Sequence, residues 1–322
     1  MKRLAAFTLA FIMLAGACAG CRVPGQDNGS KKIVTTIFPE YDWVREILGD
    51  NPAGIELTML LDSGTDLHSY QPTVDDLVSI STCDMFVYVG GESDGWVDDA
   101  LKDKTNQDMI VIDLLEELGD RVVEEEEVEG MEHEHDHDHE EEEAEYDEHV
   151  WLSLRNASSL CESIATGIKA MDPDNASVYD ANLAAYKDKL AALDEMYTQA
   201  VESGTKDTLV FGDRFPFRYL VDDYGINYYA AFSGCSAESE ASFETVVFLA
   251  GKADELGVDY ILKIESGDGR IAQSIIDNSS NTGRQILTLD SIQQVTSSDV
   301  DAGVTYYSIM EKNLETVRQA LA

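Results

Sequence analysis

Basic residues are scarce in this chain of 322 amino acids, which has 22 lysines and arginines against 63 aspartates and glutamates. The formal net charge is −41 at pH 7. Because nucleic acid is bound largely through lysine and arginine, this surplus of carboxylates argues against a nucleic-acid partner. The same surplus attracts cations, so we expect a positively charged ligand.

Cysteine is also sparse, with five residues in the whole chain. Two of them, Cys18 and Cys21, follow an apolar N-terminal segment, and the other three, Cys83, Cys161 and Cys235, are far apart. An odd number of widely spaced cysteines offers no disulfide framework. We therefore expect Cys83, Cys161 and Cys235 to be buried free thiols.

Long hydrophobic runs are limited to the N-terminus, where two basic residues precede an apolar run at residues 4–17. This run is shorter than the 20 or so apolar residues of a membrane-spanning helix and matches an export signal. Small residues lead into Cys18, as in a bacterial lipoprotein signal. We therefore predict a signal peptide at residues 1–17, a lipid on Cys18 and a flexible tether at residues 18–32. Cys21 is the alternative lipidation site, and an ordinary secretory signal is the alternative to a lipoprotein signal.

The sequence lacks the P-loop and the dinucleotide-binding fingerprint Gly-x-Gly-x-x-Gly, and Gly-x-Ser-x-Gly occurs only once, as the string at residues 91–95. A zinc hydrolase would need a general base beside an open metal position. The motif His-Glu-x-x-His, which supplies such a base when it lies on a helix, occurs only at residues 133–137, inside an acidic run for which we predict no helix. We therefore expect a protein without enzymatic activity. A zinc hydrolase is kept as an alternative that zinc-dependent turnover of an ester or peptide would support.

Segments with the composition of strands and helices alternate along two blocks of the chain. The predicted strands are KKIVTTIF, IELTMLL, DMFVYVG and MIVID in the first block, and TLVFGD, INYYAAF, DYILKIE and RQILTL in the second. Such alternation predicts the α/β class, with two lobes that each contain a parallel sheet flanked by helices. We assign residues 33–172 to the first lobe and residues 206–322 to the second.

Residues 173–205 lie between the two blocks and repeat apolar side chains at helical spacing after Pro173, a residue type that favours the first turn of a helix. About thirty helical residues extend over roughly 45 Å, at 1.5 Å per residue. We therefore predict one long rigid helix between the lobes. Ligands of open α/β sheets collect at the carboxyl ends of the strands, so the expected binding site is the cleft between the lobes.

Four histidines form a conspicuous cluster late in the first block. His133, His135, His137 and His139 alternate with acidic residues, and this density of like charges predicts a disordered loop at about residues 120–148. Imidazole suits zinc, copper or nickel, so a short histidine-rich tract has a metal-binding composition. The alternative is a solvated polar loop without a function.

The two remaining histidines stand next to predicted regular structure. His149 begins the apolar segment HVWLSL, and His68 lies in the glycine-containing segment LDSGTDLHSYQPT after the strand IELTMLL. A turn that follows a parallel strand delivers its side chains to the carboxyl edge of the sheet, where ligands bind. Taken singly, a histidine in either setting is more often a structural residue than a ligand.

Four segments of the chain resemble the metal-binding lipoproteins of bacterial ABC importers, the zinc and manganese group of solute-binding proteins. IFPEYDWVREILGD is similar to the family's opening strand and helix, and GTDLHSYQPT is similar to its Gly-x-Asp-x-His-x-x-x-Pro turn. DEHVWLSL resembles the motif Asp-x-His-Val-Trp-Leu, and TLDSI resembles the segment of the last ligand. The resemblance spans about residues 33 to 320 and includes the long helix and the histidine-rich loop of the zinc importers.

By this resemblance, His68 and His149 are metal ligands from the first lobe, and Asp290 is a ligand or a close neighbour of the metal from the second. The family usually has histidine or glutamate at the fourth ligand position, where this chain has Arg214. Because a guanidinium cannot coordinate a cation, we predict that the adjacent Asp213 supplies the donor and that Arg214 turns away or pairs with a carboxylate. Three protein ligands plus water, or an imidazole of the loop, are the alternatives.

Two imidazoles and a carboxylate suit Zn²⁺, whereas a shell of two histidines and two aspartates also admits Mn²⁺. The histidine-rich loop favours zinc, and Mn²⁺ is the alternative. The resemblance implies an extracytoplasmic monomer, anchored by its lipid to the outer face of the cell membrane, that delivers the ion to an ABC permease. A surface adhesin or a passive metal buffer is the alternative function.

Overall fold

The computed structural model describes residues 29–132, 146–236 and 240–322. The predicted signal peptide, the candidate lipidation sites Cys18 and Cys21, and the loop histidines at positions 133, 135, 137 and 139 lie outside these described residues. Residues Lys31–Ala322 form one compact unit, and the strands and helices named below belong to it.

Four short parallel strands form the sheet of the first half. They are β1 (Lys32–Thr35), β2 (Glu56–Met59), β3 (Met85–Tyr88) and β4 (Ile110–Asp113). Their spatial order is β2-β1-β3-β4, and every neighbouring pair is parallel. Ile33 and Phe86 on the inner strands are fully buried, as expected for a parallel sheet that helices cover on both faces.

Among the described residues, the second half contains three pairs of parallel strands. They are β5 (Thr208–Val210) with β7 (Asn227–Tyr229), β6 (Arg214–Phe215) with β8 (Phe232–Ser233), and β9 (Tyr260–Lys263) with β10 (Gln285–Thr288). The chain just after β5 joins the first pair to the third, because the Gly212 N–H donates a 2.9 Å hydrogen bond to the Leu262 carbonyl. The predicted parallel α/β architecture is thus confirmed in both halves.

Helices fill most of the remaining described chain. They are α1 (Phe38–Leu48), α2 (Val74–Thr82), α3 (Val97–Lys102), α4 (Leu114–Leu118), α5 (Leu154–Met171), α6 (Ala176–Ser203), α7 (Arg218–Tyr224), α8 (Phe243–Leu256), α9 (Arg270–Asn278), α10 (Ser297–Asp301) and α11 (Tyr306–Ala320). Helices α1, α5 and α11 all pack against α6. None of the helices in the described part of the chain combines the length and the apolar character needed to cross a membrane.

Helix α6 is the long helix predicted between the two halves. It has 28 residues, follows a 3₁₀ turn at Pro173–Asn175 and extends over about 42 Å at 1.5 Å per residue. Its buried side chains include Tyr186, Leu190 and Tyr197, and the Tyr197 hydroxyl donates a 2.8 Å hydrogen bond to the Met310 carbonyl of α11. The helix is therefore fixed to both halves. The predicted lobe boundaries at residues 172 and 206 stay predictions.

Candidate metal centre

His68 lies in a short 3₁₀ turn, Leu67–Ser69, in the segment that follows β2. The Asp66 carboxylate begins this turn by accepting a 3.1 Å hydrogen bond from the His68 backbone N–H, and the buried Leu67 side chain anchors the turn in the core. The Ser93 hydroxyl lies 2.8 Å from His68 Nδ1. The ring is therefore held at Nδ1, and its Nε2 atom faces the second histidine.

His149 is fully buried and directly precedes a 3₁₀ turn, Val150–Leu152. Asp147 holds this residue twice, because its Oδ1 atom lies 2.8 Å from the His149 backbone nitrogen and 3.1 Å from Nδ1. The Trp151 ring packs against the imidazole with the ring centroids 5.3 Å apart. A carboxylate at Nδ1 keeps the proton on that atom, so Nε2 presents a lone pair.

The Nε2 atoms of His68 and His149 lie 3.1 Å apart. Two nitrogen ligands at about 2.0–2.1 Å from one tetrahedral zinc ion would be roughly 3.3 Å apart, so the observed separation fits a shared cation. Both rings also have a polar partner at Nδ1, which is the usual support of metal-ligating histidines. The structure thus brings together the two histidines that the sequence singled out, and their role as ligands stays a prediction.

The protonation state of His68 suits metal binding. Burial, together with the neighbouring His149 ring and the Arg214 guanidinium, lowers the pKa of His68 to about 3, although Asp66 acts in the opposite direction. A neutral imidazole is the form that binds a metal ion. At neutral pH His68 therefore needs to lose no proton before it coordinates a cation.

Cys235 lies beside the two histidines, at a position that the sequence reasoning missed. Its Sγ atom and one ring nitrogen from each of His68 and His149 all lie within 4.8 Å of one another. In the part of the chain that the structure describes, no other group of three His, Cys, Asp or Glu side chains converges in this way. The available signal was a Gly-Cys pair one residue after the strand-like segment INYYAAF, an arrangement similar to the glycine-containing segment around His68.

The three cysteines of the described residues differ in burial. Cys83 and Cys161 are fully buried free thiols, as predicted, whereas Cys235 is only partly buried. The expectation of a buried Cys235 is therefore wrong, because the loop after β8 places this residue at the wall of a cavity and not in the core. Partial burial, reinforced by the carboxylates of Glu125 and Asp147, still raises the pKa of the Cys235 thiol above its usual range.

A cavity of about 250 Å³ lies against His68 and Cys235, and the Glu148 side chain forms part of its lining. Glu148 Oε1 accepts a 2.9 Å hydrogen bond from the Ser93 backbone N–H. Glu148 Oε2 is buried, lies 3.6 Å from His68 Nδ1 and has no hydrogen-bond partner among the described residues. Burial raises the pKa of this carboxyl group. A nearby cation would satisfy the unpartnered oxygen, since buried polar atoms are normally paired.

The side chains of Asp213 and Arg214 are engaged by other protein groups and not by the two histidines. Asp213 Oδ1 accepts a 2.9 Å hydrogen bond from the Arg214 backbone N–H, and its Oδ2 accepts a 3.2 Å hydrogen bond from the Ile264 N–H. Arg214 Nη2 donates a 2.6 Å hydrogen bond to Asp66 Oδ2 and so forms an ion pair, one of the two arrangements that the sequence favoured. Within the described chain, Asp213 is not a member of the group formed by His68, His149 and Cys235.

Asp290 lies two residues after the end of β10, in a segment that packs against the turn following His149. The Ser291 carbonyl accepts a 2.9 Å hydrogen bond from the Trp151 indole, and Asp290 Oδ1 accepts a 2.8 Å hydrogen bond from the Ile292 N–H. Ile292 has a φ of 64°, which is rare for a β-branched residue and typical of strained functional segments. Burial raises the pKa of Asp290. Among the described residues, this carboxylate is not part of the three-residue group around His149.

Known proteins that resemble this chain over nearly its whole described length are zinc-uptake or zinc-binding proteins. The model of the family described as "Zinc-uptake complex component A periplasmic" (ZnuA) matches residues 33–320. The zinc-binding lipoprotein AdcA of Streptococcus pneumoniae serotype 4 is 32% identical over 322 residues, which cover 96% of this chain and 60% of AdcA. The high-affinity zinc uptake system protein ZnuA of Bacillus subtilis is 28% identical over 315 residues, which cover 97% of this chain and 95% of that protein.

A solved structure shares the fold. The Zn(II)-bound ZnuA-like domain of Streptococcus pneumoniae AdcA has a TM-score of 0.71 and 28% sequence identity, and the match covers 91% of this chain and 99% of that domain. The chain therefore spans about 60% of the length of AdcA and nearly all of its ZnuA-like domain. The predicted fold, with parallel sheets flanked by helices and one long helix, is confirmed by this likeness.

Proposed function

The chain belongs to the family of zinc-uptake complex component A periplasmic proteins (ZnuA). We therefore propose that it captures Zn²⁺ outside the cytoplasm and delivers the ion to the permease of an ABC importer. The family consists of transport components, which confirms the expectation that the chain is not an enzyme. The observation that carries the proposal is the 3.1 Å separation of the Nε2 atoms of His68 and His149.

The proposed ligands from the first half are the two imidazoles. Their Nδ1 atoms are already engaged by Ser93 and Asp147, so the Nε2 lone pairs are oriented toward one point before a metal arrives. Preoriented ligands reduce the ordering cost of binding. A pair of imidazoles suits the borderline-soft Zn²⁺ better than Mn²⁺, which prefers oxygen ligands.

Asp290 is the acid that we propose as a ligand or close neighbour of the ion from the second half. Support comes from its segment, because the adjacent Ser291 is hydrogen-bonded to Trp151, two residues after His149. Asp213 stays the proposed replacement for the histidine or glutamate of the family. Both of its oxygen atoms accept backbone hydrogen bonds, so metal coordination by Asp213 requires a second lone pair or the release of one bond.

The histidines at positions 133, 135, 137 and 139 have a separate proposed role, which is to raise the concentration of zinc near the site. The proposed lipid on Cys18, or on Cys21, would hold the protein at the outer face of the cell membrane. Membrane attachment keeps a captured ion near a permease partner, since tethering raises the effective concentration of the two proteins.

The test is zinc titration of the chain without residues 133–145, alone and with either His68→Ala or His149→Ala. We expect one tight zinc ion in the deletion variant and a loss of affinity of more than about 100-fold in each histidine variant, beyond the cost of losing a supporting group. Ser69→Ala is the matched control, because Ser69 is exposed in the same turn as His68. Unchanged affinity in the histidine variants would contradict the proposal, and loss of nearly all binding on deletion of residues 133–145 would favour a passive metal buffer.

A further inference from the structure

The thiol of Cys235 lies beside the two proposed histidine ligands and has no role in the proposed function. A soft sulfur donor lies within 4.8 Å of two convergent imidazole nitrogens, and the three side chains come from different parts of the chain. Cys83 and Cys161, in contrast, are fully buried. A cysteine used only for packing has no reason to face the metal-binding atoms of two histidines.

The backbone contacts around Cys235 place its thiol beside His68 and His149. Strand β8 pairs with β6, and the chain then passes Gly234, where an added Cβ would lie 3.0 Å from His149 Cε1 and 3.0 Å from the Phe215 carbonyl oxygen. Only glycine lets the chain approach the imidazole this closely without displacing a neighbour. The Cys235 N–H then donates a 3.1 Å hydrogen bond to Glu125 Oε1, which fixes the residue on its other side.

We propose that Cys235 is a third protein ligand of the captured ion, in a site with two imidazoles and one thiolate. The inference rests on the proposed function of His68 and His149 and makes Cys235 a second candidate, beside Asp213, for the donor that Arg214 cannot supply. Zinc-bound nitrogen and sulfur atoms, at about 2.05 and 2.3 Å from the ion, are roughly 3.6 Å apart. Because the sulfur and nitrogen atoms lie within 4.8 Å of one another, they need to move closer by no more than about 1.2 Å to reach this separation.

Coordination at Cys235 exchanges one bond for another, because the S–H bond gives up its proton to solvent and the sulfur forms a bond to the metal ion. A thiolate changes the class of cation that the site takes. It favours thiophilic ions such as Zn²⁺, Co²⁺ and Cd²⁺ and disfavours Mn²⁺, Mg²⁺ and Ca²⁺. Cys235 is thus a specificity-determining residue that counters the Mn²⁺ alternative left open by a shell of histidines and aspartates.

The experiment uses Co²⁺ as a spectroscopic probe of the full chain. Cobalt bound to a thiolate shows a sulfur-to-metal charge-transfer band in the near ultraviolet, which bound imidazoles and carboxylates do not produce. We expect this band at one equivalent of Co²⁺ in the unmodified chain and in Cys83→Ala, and its loss in Cys235→Ala. Zinc affinity, measured by competition with a chelator, should fall by about tenfold or more in Cys235→Ala, whereas Mn²⁺ affinity should stay within about twofold.

Three outcomes separate this inference from the proposed function. Loss of the band in Cys235→Ala, with the band retained in Cys83→Ala, supports the thiolate ligand. Binding that depends on His68 and His149 but has a spectrum and a zinc affinity unaffected by Cys235→Ala overturns the ligand role and leaves the proposed function intact. Tight zinc binding that survives both histidine substitutions in the chain without residues 133–145 overturns the proposed function and the inference together.

Discussion

The Arg214 guanidinium of the second half donates a 2.6 Å hydrogen bond to the Asp66 carboxylate of the first half. The other oxygen of Asp66 accepts the backbone N–H of His68. Arg214 is thus linked through Asp66 to the turn that carries His68. Both side chains are largely shielded from water, with 17% and 15% of their surfaces exposed.

Breaking this ion pair should destabilise the protein, because substitution of one residue leaves the charge of the other unpaired and largely shielded from water. We expect Arg214→Gln and Asp66→Asn each to lower the free energy of unfolding by about 1–2 kcal/mol, with a coupling energy of about 1 kcal/mol in the double variant. Urea unfolding of the four proteins measures this coupling. Asp99→Asn is the control, since Asp99 forms an exposed ion pair with Lys102 that contributes little. Additive effects of the two substitutions would contradict a direct interaction.

Asp147 should contribute to zinc affinity without touching the ion. It accepts hydrogen bonds from the backbone N–H and from Nδ1 of His149, and loss of such a supporting carboxylate typically costs 10- to 100-fold in metal affinity (about 1–3 kcal/mol). We therefore expect Asp147→Asn to weaken zinc binding by about tenfold or more in the chain without residues 133–145. Asp223→Asn is a matched control, because Asp223 is a partly buried carboxylate that binds Ser153 instead of a histidine. Equal affinities of the two variants would show that Asp147 has no such role.

The regular architecture follows from short-range properties of the sequence. Apolar β-rich segments followed by amphipathic helices predicted the parallel sheets, and the unbroken helical spacing after Pro173 predicted α6. Helix α5 was not predicted, because its sequence LRNASSLCESIATGIKAM mixes serines, threonine and asparagine with the apolar residues. Burial of one face against α1 and α6 overrides these weak propensities.

The candidate site was only partly predictable, because its parts meet through pairings between distant segments. His68 and His149 carried local signals, namely a glycine-containing turn and an apolar segment after an acidic run. Cys235 reaches them through the pairing of β6 with β8, two strands of two residues each that leave no periodic pattern. Asp213 likewise could not be judged from sequence, since the Ile264 N–H that occupies its Oδ2 comes from the segment after β9.

Asp94 should make stability fall as the pH rises from about 4 to 7. Burial, reinforced by the carboxylates of Glu148 and Asp113, raises the pKa of Asp94 to about 7. The unfolded chain titrates near pH 3.9, so the folded state binds more protons between these values. The contribution to stability is therefore fully present below about pH 4 and is lost as the pH rises through the folded pKa.

Asp94→Asn removes this titration and keeps an oxygen for the hydrogen bonds from the Val89 and Gly90 N–H groups. We expect urea unfolding of the variant to lose less stability between pH 4 and pH 7 than the unmodified chain, by an amount on the order of 2–4 kcal/mol. The control Asp99→Asn, at an exposed position, should keep the original slope. Identical slopes for Asp94→Asn and the unmodified chain would rule out a raised pKa at this site.

Gly234 should be required for a correctly placed His149. A methyl group at this position would lie 3.0 Å from His149 Cε1 and 3.0 Å from the Phe215 carbonyl oxygen, so that the ring or the end of β6 must move. We expect Gly234→Ala to lower zinc affinity by about tenfold, as for loss of a supporting contact, in a chain that still folds. Gly251→Ala is the matched control, since Gly251 lies within α8 and an added methyl group meets nothing within 4 Å. The control should gain about 0.5–1 kcal/mol of stability with no change in zinc affinity. Full zinc affinity in Gly234→Ala would mean that the loop of Cys235 moves independently of His149, contrary to a site in which both bind one ion.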